Sequence, residues 1–283
     1  MPEPEGETKA EAPLLVCLGA GYVAGYLARR LKQQGWRVIG TRRAPTGPDE
    51  IALADAGPAI RAASAVLASI PPEEGGDPAL RAQGQALSEA KSAWLGYLST
   101  TGVYGDRAGR WAFEDDALTP QSPEATRRAH AEEGWRALGA HVFRLPGIYG
   151  PGRGPFAKLK AGAERRIAKP GQVFSRAHAE DIAAALALSI ARPNPGRAYN
   201  ICDDEPAPSD VVTAHAAALL GIPPPPLAPV EDADLSPMAR RFYSECKRVS
   251  NARAKAELGW RPLYPTYREG LAAILQAESS AQS

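Results

Sequence analysis

Two glycines and an alanine near the N-terminus have the spacing of a phosphate-binding turn. Gly19, Gly21 and Ala24 fit the pattern G-x-G-x-x-A, between an apolar run and a helical pattern. Glycine at the first position lets the chain turn tightly, and at the second it lets a pyrophosphate approach the backbone. The N–H groups at the start of the helix would hold the phosphates. The alternative is a glycine-rich turn without a ligand. The expected dinucleotide contacts here are Gly19, Ala20, Gly21, Tyr22 and Val23.

The residues that follow the second predicted strand indicate the type of dinucleotide. NAD sites commonly carry Asp or Glu about 20 residues beyond the glycines, where the acid binds the ribose 2′-OH. Here Arg42 and Arg43 occupy that place, and the first acid is Asp49. An arginine can clamp a 2′-phosphate and stack on adenine. The sequence therefore favours NADP(H), with NAD possible, and a bare pair of surface arginines is the alternative.

Composition narrows the classes of partner. The 283 residues include 33 basic and 32 acidic side chains, so the chain lacks the excess of positive charge typical of nucleic-acid binding. No apolar run approaches the roughly 20 residues that span a bilayer. Three distant cysteines and four histidines show neither disulfide nor metal-ligand spacing. We expect a cytoplasmic monomer or homodimer that acts on a small molecule, without a metal, nucleic acid or membrane.

Strands and helices alternate along most of the chain. Short apolar runs bounded by Gly, Pro or polar residues predict buried strands, and apolar residues at helical spacing predict helices between them. The predicted strands cover 14–18, 36–41, 65–70, 94–99, 140–145 and 198–202, and the predicted helices cover 22–34, 123–138, 180–191 and 250–258.

This alternation predicts the fold class. Repeated βαβ units form a parallel sheet, and right-handed crossovers place helices on both of its faces. We expect an α/β protein, namely a doubly wound parallel-sheet Rossmann fold with a small C-terminal substrate lobe. Residues 13–195 would form the dinucleotide-binding domain, with 147–175 contributing to the substrate region, and residues 196–277 would form the smaller lobe.

Further segments resemble the extended short-chain dehydrogenase/reductase superfamily, of the NAD-dependent epimerase/dehydratase kind. Residues 97–105 resemble its active-site strand end, S-[ST]-x-x-V-Y-G, and residues 144–153 resemble the loop that covers the nicotinamide. Residues 178–182 resemble the H-x-x-D helix start, and 199–203 and 248–260 resemble the late strand and the C-terminal segment. The resemblance extends from about residue 14 to residue 275, and it implies a Rossmann fold and NAD(P) chemistry.

The resemblance also implies a catalytic set, from which this chain departs at two positions. The family uses a Ser or Thr, a Tyr, and a Lys four residues after the Tyr, and these groups handle the proton at the substrate oxygen. Thr100 takes the Ser/Thr position, but Glu124 and Arg128 stand where the Tyr and the Lys are expected. An ordinary Glu, with a pKa near 4.3, is ionised at neutral pH, and Arg cannot act as an acid or base. Because Leu18 also replaces the first glycine of the superfamily's usual pattern, the chain resembles an atypical branch.

Tyr104 is a further candidate, because it follows the active-site strand and could face the nicotinamide. The alternatives are a tyrosine at the rim of the core for Tyr104, and an exposed i,i+4 helix ion pair for Glu124 and Arg128. The catalytic candidates are therefore Thr100, Tyr104, Glu124 and Arg128.

The remaining candidate cofactor contacts lie at the ends of strands. Ser69 and Pro71 follow the third predicted strand, where the carboxyl ends of strands border the cofactor. The resemblance adds Ser99, Pro146 and Gly147, which lie in the active-site strand and the nicotinamide loop.

The sequence predicts an NAD(P)(H)-dependent oxidoreductase or an epimerase/dehydratase-like enzyme acting on a small or nucleotide-sugar-like substrate. The main alternative is a dinucleotide-binding sensor or partner-binding protein that has lost the chemistry. A methyltransferase-like or flavin-linked Rossmann protein is disfavoured by residues 99–105 and 145–150.

Overall fold

The structure, a computed structural model, describes residues 11–280 except Ser92 and Glu164. The strands in this part of the chain are β1 Leu14–Leu18, β2 Arg37–Thr41, β3 Glu50–Ile51, β4 Ala65–Ala68, β5 Trp94–Thr100, β6 Trp111–Ala112, β7 His141–Leu145, β8 Gly147–Tyr149, β9 Arg166–Ala168, β10 Arg176–His178, β11 Ala198–Asn200, β12 Leu227–Pro229 and β13 Arg248–Val249. The α-helices are α1 Tyr22–Lys32, α2 Gly57–Arg61, α3 Pro78–Glu89, α4 Pro123–Ala137, α5 Pro155–Lys160, α6 Ala179–Ala191, α7 Ser209–Leu219, α8 Pro237–Ser244, α9 Ala252–Glu257 and α10 Tyr267–Ser280.

A seven-stranded parallel sheet organises the molecule. Its order is β11-β7-β5-β4-β1-β2-β3, and every pairing in it is parallel. Parallel strands need crossover connections, so the intervening helices must cover the faces of the sheet. The predicted α/β Rossmann fold is confirmed.

Each face of the sheet has its own apolar core, because neighbouring residues of a strand point to opposite faces. Leu15 and Cys17 of β1 pack with buried residues of α1 and α6 on one face. Val16 and Leu18 pack on the other face, with residues of α2, α3 and α4 that include the fully buried Trp135. These two layers make the sheet doubly wound.

The C-terminal part contributes to the central sheet and also forms a smaller apolar cluster. β11, expected in the small lobe, is the edge strand of the central sheet, where Tyr199 pairs with Phe143 of β7. Tyr149, Phe156 and Leu271 belong to a separate buried cluster contributed mainly by α5, α7 and α10. Three two-stranded parallel sheets lie outside the central sheet. They are formed by the pairs β8–β10, β9–β12 and β6–β13.

Among the described residues, no helix has the combined length and apolarity needed to cross a membrane.

Candidate cofactor and substrate site

The turn between β1 and α1 lies where the order of the strands changes direction. After β1 the chain forms β2 and β3 on one side, and it then returns to form β4 on the other side. Ligands of doubly wound sheets bind at such a point, outside the carboxyl ends of the strands. Gly19 directly follows β1 and Ser69 directly follows β4, so both residues border this crevice.

Gly19 is held from both sides. Its φ of +95° lies in the left-handed region that favours glycine. Its N–H donates to Thr41 Oγ1 at 2.8 Å, and its carbonyl accepts from Ser69 Oγ at 2.7 Å. A Cβ atom at this position would lie 2.8 Å from Ser69 Oγ. The hydroxyl of Ser69 therefore fixes the shape of the turn.

Gly21 differs from Gly19 because its surroundings are open. It caps the N-terminus of α1 with no side-chain hydrogen bond, and its φ of −87° is accessible to any residue. A Cβ atom here would meet only Ser69 Oγ, at 3.9 Å. The first N–H groups of a helix have no partner inside the helix, and they carry the positive end of its dipole. This combination fits the pyrophosphate of a dinucleotide.

The segment 150–153 lies beside the start of α1. Tyr22 donates its hydroxyl hydrogen to the carbonyl of Pro151 at 2.9 Å. The Arg153 guanidinium lies 5.5 Å from the centre of the Tyr22 ring, and Arg153 forms no ion pair with any residue that the structure describes. Arg153 thus adds a positive charge next to the expected phosphate position, although it was not among the predicted cofactor contacts. Val23, a predicted dinucleotide contact, is instead buried against the sheet.

The end of β2 carries both arginines and an unexpected acid. Arg42 and Arg43 are exposed, and Arg42 Nε donates to the carboxylate of Glu50 on β3. The N–H and the hydroxyl of Thr46 also donate to Glu50, at 2.9 and 3.0 Å. The Thr46 N–H is the main cause that lowers the pKa of Glu50, and Arg42 adds to it. An ionised carboxylate therefore lies beside Arg42. Asp49 instead accepts a hydrogen bond from Lys32 Nζ.

A cavity of about 220 Å³ opens beyond the ends of β5 and β7, and Thr100, Pro146 and Gly147 line it together. Thr100 Oγ1 accepts from the N–H of Gly102 at 3.1 Å, which fixes the hydroxyl at the start of a short 3₁₀ helix. The structure thus brings the predicted Ser/Thr position next to the two predicted nicotinamide-loop residues. Pro71 lies exposed beyond Ser69.

Glu245 and Lys247 form another part of the cavity wall. Lys247 Nζ lies 2.5 Å from Glu245 Oε2, and the two side chains are only 11% and 16% exposed. Gln172 Nε2 holds this segment by donating to the carbonyl of Glu245 at 2.6 Å. Neither Glu245 nor Lys247 is among the residues predicted from the sequence. The signal that could have found them is an i,i+2 spacing, which places both side chains on one side of an extended segment, just before residues 248–260.

Arg128 lies beside β5. Its Nη1 donates to the carbonyl of Leu98 at 2.6 Å and to the hydroxyl of Tyr97 at 3.2 Å. These bonds hold the guanidinium at the family's Lys position, with donors remaining for a ligand. The alternative i,i+4 ion pair with Glu124 is not formed; Glu124 instead binds Arg241.

Glu124 is exposed and accepts from Nη1 of Arg241 on α8 at 2.9 and 3.1 Å. A hydrogen bond with its own backbone N–H at the helix start is the main cause that lowers its pKa, and Arg241 adds to this effect. Glu124 is therefore ionised and cannot supply a proton at neutral pH.

Tyr104 and Ser99 lie in a buried network instead of the cavity wall, which corrects their expected roles. Tyr104 donates to Asn200 Oδ1 at 2.8 Å and accepts from Arg144 at 2.9 Å. Burial raises the pKa of Tyr104 to about 12. Ser99 donates to Glu132 at 2.5 Å, and Glu132 in turn accepts from Arg144 Nε at 3.1 Å and from Arg144 Nη2 at 2.8 Å. Side chains alternate along β5, so Ser99 points away from the side that Thr100 faces.

Curated proteins with recognisable sequence similarity include a bacterial protein and a reductase, whereas no family model matches the chain. The Escherichia coli K12 protein YeeZ is 26% identical over 278 residues, which cover 88% of this chain and 95% of YeeZ. The 3-diazoavenalumate denitrifying reductase of a Streptomyces species is 32% identical over 178 residues, which cover 56% of this chain and 57% of the reductase.

Solved structures extend the similarity over nearly the whole chain. A conserved protein of unknown function from Silicibacter pomeroyi is 49% identical with a TM-score of 0.88, covering 94% of this chain and 99% of that one. A candidate NAD-dependent epimerase/dehydratase from Methylobacillus flagellatus is 27% identical with a TM-score of 0.74, covering 95% and 100%. The human epimerase family protein SDR39U1, solved with NADPH, shares the fold at 18% identity and a TM-score of 0.72, covering 93% and 99%.

The doubly wound sheet, the glycine turn at its switch point and these neighbours lead to one conclusion. The chain has the fold of the extended short-chain dehydrogenase/reductase superfamily, and it carries Glu124 and Arg128 at the positions where that superfamily's Tyr-x-x-x-Lys pair is expected.

Proposed function

We propose that the protein is an NAD(P)(H)-dependent oxidoreductase that prefers NADP(H). The observation that carries the proposal is the open turn at Gly21, where the first backbone donors of α1 meet no capping side chain. A dinucleotide pyrophosphate matches both the charge and the space of that turn. The names of the reductase and epimerase/dehydratase relatives support the same class of chemistry.

The residues around the cavity have separate roles in this proposal. A bound nicotinamide would supply a hydride to the substrate carbon in the direction of reduction, and the substrate oxygen would then take up one proton. Thr100 donates its hydroxyl hydrogen to the substrate oxygen, and Arg128 binds the nicotinamide ribose with the donors that its bonds to β5 leave over. Pro146 and Gly147 provide a wall without polar side chains for the ring.

Proton transfer must involve a group other than Glu124 or Tyr104, since the first is exposed and ionised and the second is buried with a raised pKa. Lys247 lines the same cavity as Thr100, and its Nζ is a hydrogen-bond donor. We propose that Lys247 delivers the proton to the substrate oxygen, while Glu245 orients its ammonium group. Replacing Lys247 by Met should therefore lower turnover more than cofactor affinity.

The preference for NADP(H) follows from charge at the end of β2. Arg42 and Arg43 contribute two positive charges there, and Glu50 offsets one of them. The remaining positive charge favours a 2′-phosphate over a 2′-hydroxyl.

Thermal denaturation with NADP+ and with NAD+ tests the proposal. A ligand at 100 times its dissociation constant stabilises a protein by about 2.7 kcal/mol, so binding is visible as an increase in Tm. We expect a larger increase with NADP+, and Arg42→Ala should remove the difference. Arg61→Ala is the matched control, because Arg61 is an equally exposed arginine paired with Glu89 on the distant helix pair α2–α3. Equal increases with both dinucleotides would contradict the preference, and no increase with either would contradict the proposal.

A second candidate function is a dinucleotide-loaded binding protein without turnover. The observation that favours it is the replacement of the family's Tyr and Lys by Glu124 and Arg128. Steady-state assays of NADPH consumption with a panel of carbonyl compounds separate the two candidates, since a binding protein would bind NADPH and consume none.

A further inference from the structure

The substrate side of the cleft is small. The cavity at Thr100 has a volume of about 220 Å³, and a second cavity of about 140 Å³ lies behind the shared wall formed by Phe174, Ser175 and Phe242. Pockets for drug-sized ligands usually span about 300–1,000 Å³. Part of the first cavity, along Pro146 and Gly147, is needed by the nicotinamide in the proposed function. The space that remains suits a small molecule.

Three positive side chains in or next to the cleft are already bound within the protein. Lys247 pairs with Glu245, Arg241 pairs with Glu124, and Lys169 donates to the carbonyl of Tyr243. A nucleotide-diphosphate ligand needs several free cationic donors, and arginine forks above all.

Arg176 lines the second cavity, and its guanidinium is also bound within the protein. Its Nη1 donates to the carbonyls of Phe174 and Ala207 at 2.8 and 2.9 Å. Lys158 lines the second cavity without an ion-pair partner among the described residues. One ammonium group does not make a diphosphate cradle.

The apolar wall has a specific shape. The rings of Phe174 and Phe242 are stacked with their centres 4.1 Å apart and their planes 8° from parallel. Phe174 is buried, whereas Phe242 remains 50% exposed and lines both cavities. Tyr243 packs edge-on against Phe174, which fixes the orientation of this pair. A half-exposed aromatic ring in a cleft is a platform for a second flat ring, since offset stacking adds favourable energy beyond the buried area.

We propose that the cleft binds a small molecule with a flat aromatic or conjugated ring, stacked on Phe242, and that it does not bind nucleotide-diphosphate sugars. The proposal rests on the proposed function for the space that the nicotinamide takes and for the reaction that follows binding. Binding itself depends on the aromatic wall and on the charges that are already paired.

Saturation-transfer NMR with three probes tests this proposal on the full chain, with and without NADP+. The probes are benzyl alcohol, cyclohexylmethanol and UDP-glucose. The two alcohols match in size, but cyclohexylmethanol is the more apolar and lacks a flat ring, so it separates stacking from general hydrophobicity. The variants are Phe242→Leu and, as matched control, Phe113→Leu, because Phe113 is 49% exposed and lines neither cavity.

We expect the affinity for benzyl alcohol, read from a saturation-transfer titration, to exceed that for cyclohexylmethanol by about three- to tenfold, as stacking energies imply. Phe242→Leu should abolish this difference and Phe113→Leu should leave it unchanged, while UDP-glucose gives no signal when NADP+ occupies the dinucleotide site. A stronger signal from UDP-glucose, equal signals from the two alcohols, or no effect of Phe242→Leu would overturn the proposal. NADP+ binding is read separately from Tm, so a ring-selective signal in a protein that binds no dinucleotide would refute only the proposed function.

Discussion

Two regions of the protein differ in how their polar groups are bonded. They are the interior between α4 and β7 and the turn between β1 and α1. Between α4 and β7, Glu132 and Arg144 are each 2% exposed, and they satisfy one another together with Ser99 and Tyr104. At the turn, no side chain caps the N-terminal donors of α1. Polar groups that satisfy one another hold the fold together, whereas donors that the fold leaves open can bind a ligand.

The same difference explains why Tyr104 and Ser99 have structural roles in this protein. Tyr104 and Ser99 lie in segments that resemble an active site, yet their hydroxyls are bound within the core. Although burial alone would lower it, the pKa of Arg144 is raised by the hydrogen bonds that it donates to Glu132. The Arg144 guanidinium therefore stays charged inside the fold.

The largest expected effect is the loss of Glu132. Glu132→Ala would leave Arg144 buried without its partner, and removing one member of such a pair costs about 3–5 kcal/mol of unfolding free energy. Urea denaturation measures this loss. The double variant Glu132→Leu with Arg144→Met should recover much of the stability, because well-packed apolar residues can replace a buried pair. A loss below about 1 kcal/mol for Glu132→Ala would contradict the description of this interior.

His178 provides the next largest effect, because it is a buried imidazole with a structural role at the start of α6. Burial lowers the pKa of His178 to about 4, and its Nδ1 caps α6 by accepting from the N–H of Glu180. The folded state resists protonation, so the contribution of His178 to stability is complete above pH 6.5 and declines as the pH falls towards 4. Linkage gives a decline of about 3 kcal/mol over that interval.

The difference between wild type and His178→Gln isolates this contribution. Asp181, whose pKa is raised to about 6 by burial, titrates in the same range in both proteins and with the opposite sign. Stability curves of the two proteins that stay parallel between pH 6.5 and pH 4 would show that His178 is accessible to protons.

Gly21→Ser tests the open turn with a substitution that should leave the fold intact. Serine is a favoured N-cap, and its hydroxyl would accept from the N–H groups that the phosphates would otherwise bind. We expect unchanged or slightly higher stability, together with at least a tenfold loss of NADPH affinity, about 1.4 kcal/mol. Gly19→Ala is the contrasting variant, since its φ of +95° and its contact with Ser69 predict a loss of stability as well. An NADPH affinity unaffected by Gly21→Ser would place the phosphates elsewhere.

A smaller effect is expected from Glu50→Gln at the end of β2. Removing the carboxylate frees Arg42, so the ratio of NADP+ to NAD+ affinity should rise severalfold. Calorimetric titration with both dinucleotides measures the ratio. Asp49→Asn is the matched control, because Asp49 precedes Glu50 but pairs with Lys32. A ratio that falls in Glu50→Gln would show that this acid helps Arg42 to bind the phosphate.

The smallest effect is expected from Glu124→Gln. The pair with Arg241 is exposed on both sides, and such pairs contribute little to stability. We expect no measurable change in the urea midpoint and less than a twofold change in NADPH affinity. A large loss of turnover on any substrate would return Glu124 to the catalytic set.

The sequence predicted the sheet well because the relevant signals are local. The apolar runs around Val16, Val66 and Phe143 are short and bounded by turn residues, and each is a buried strand in the structure. Ser122 caps α4 by accepting from the N–H of Ala125, and Pro123 begins the helix as expected. Such signals depend on the residues of one element.

The missing predictions concern contacts between distant residues. Glu50 comes next to Arg42 only because β3 pairs with β2, and Lys247 reaches the cavity of Thr100 from a segment almost 150 residues later in the sequence. Ser99 and Thr100 are neighbours in the sequence, yet they face opposite sides of β5. Resemblance in a motif located the strand but did not identify which of its side chains lines the cleft.

The direct measurement of the central claim is a calorimetric titration of the full chain with NADPH at moderate ionic strength. The open donors at Gly21 predict one site per chain with a dissociation constant in the micromolar range, about −8 kcal/mol, and a much weaker interaction in Gly21→Ser. A flat titration with wild-type protein at about 1 mM NADPH, which corresponds to less than about 4 kcal/mol of binding energy, would contradict the account.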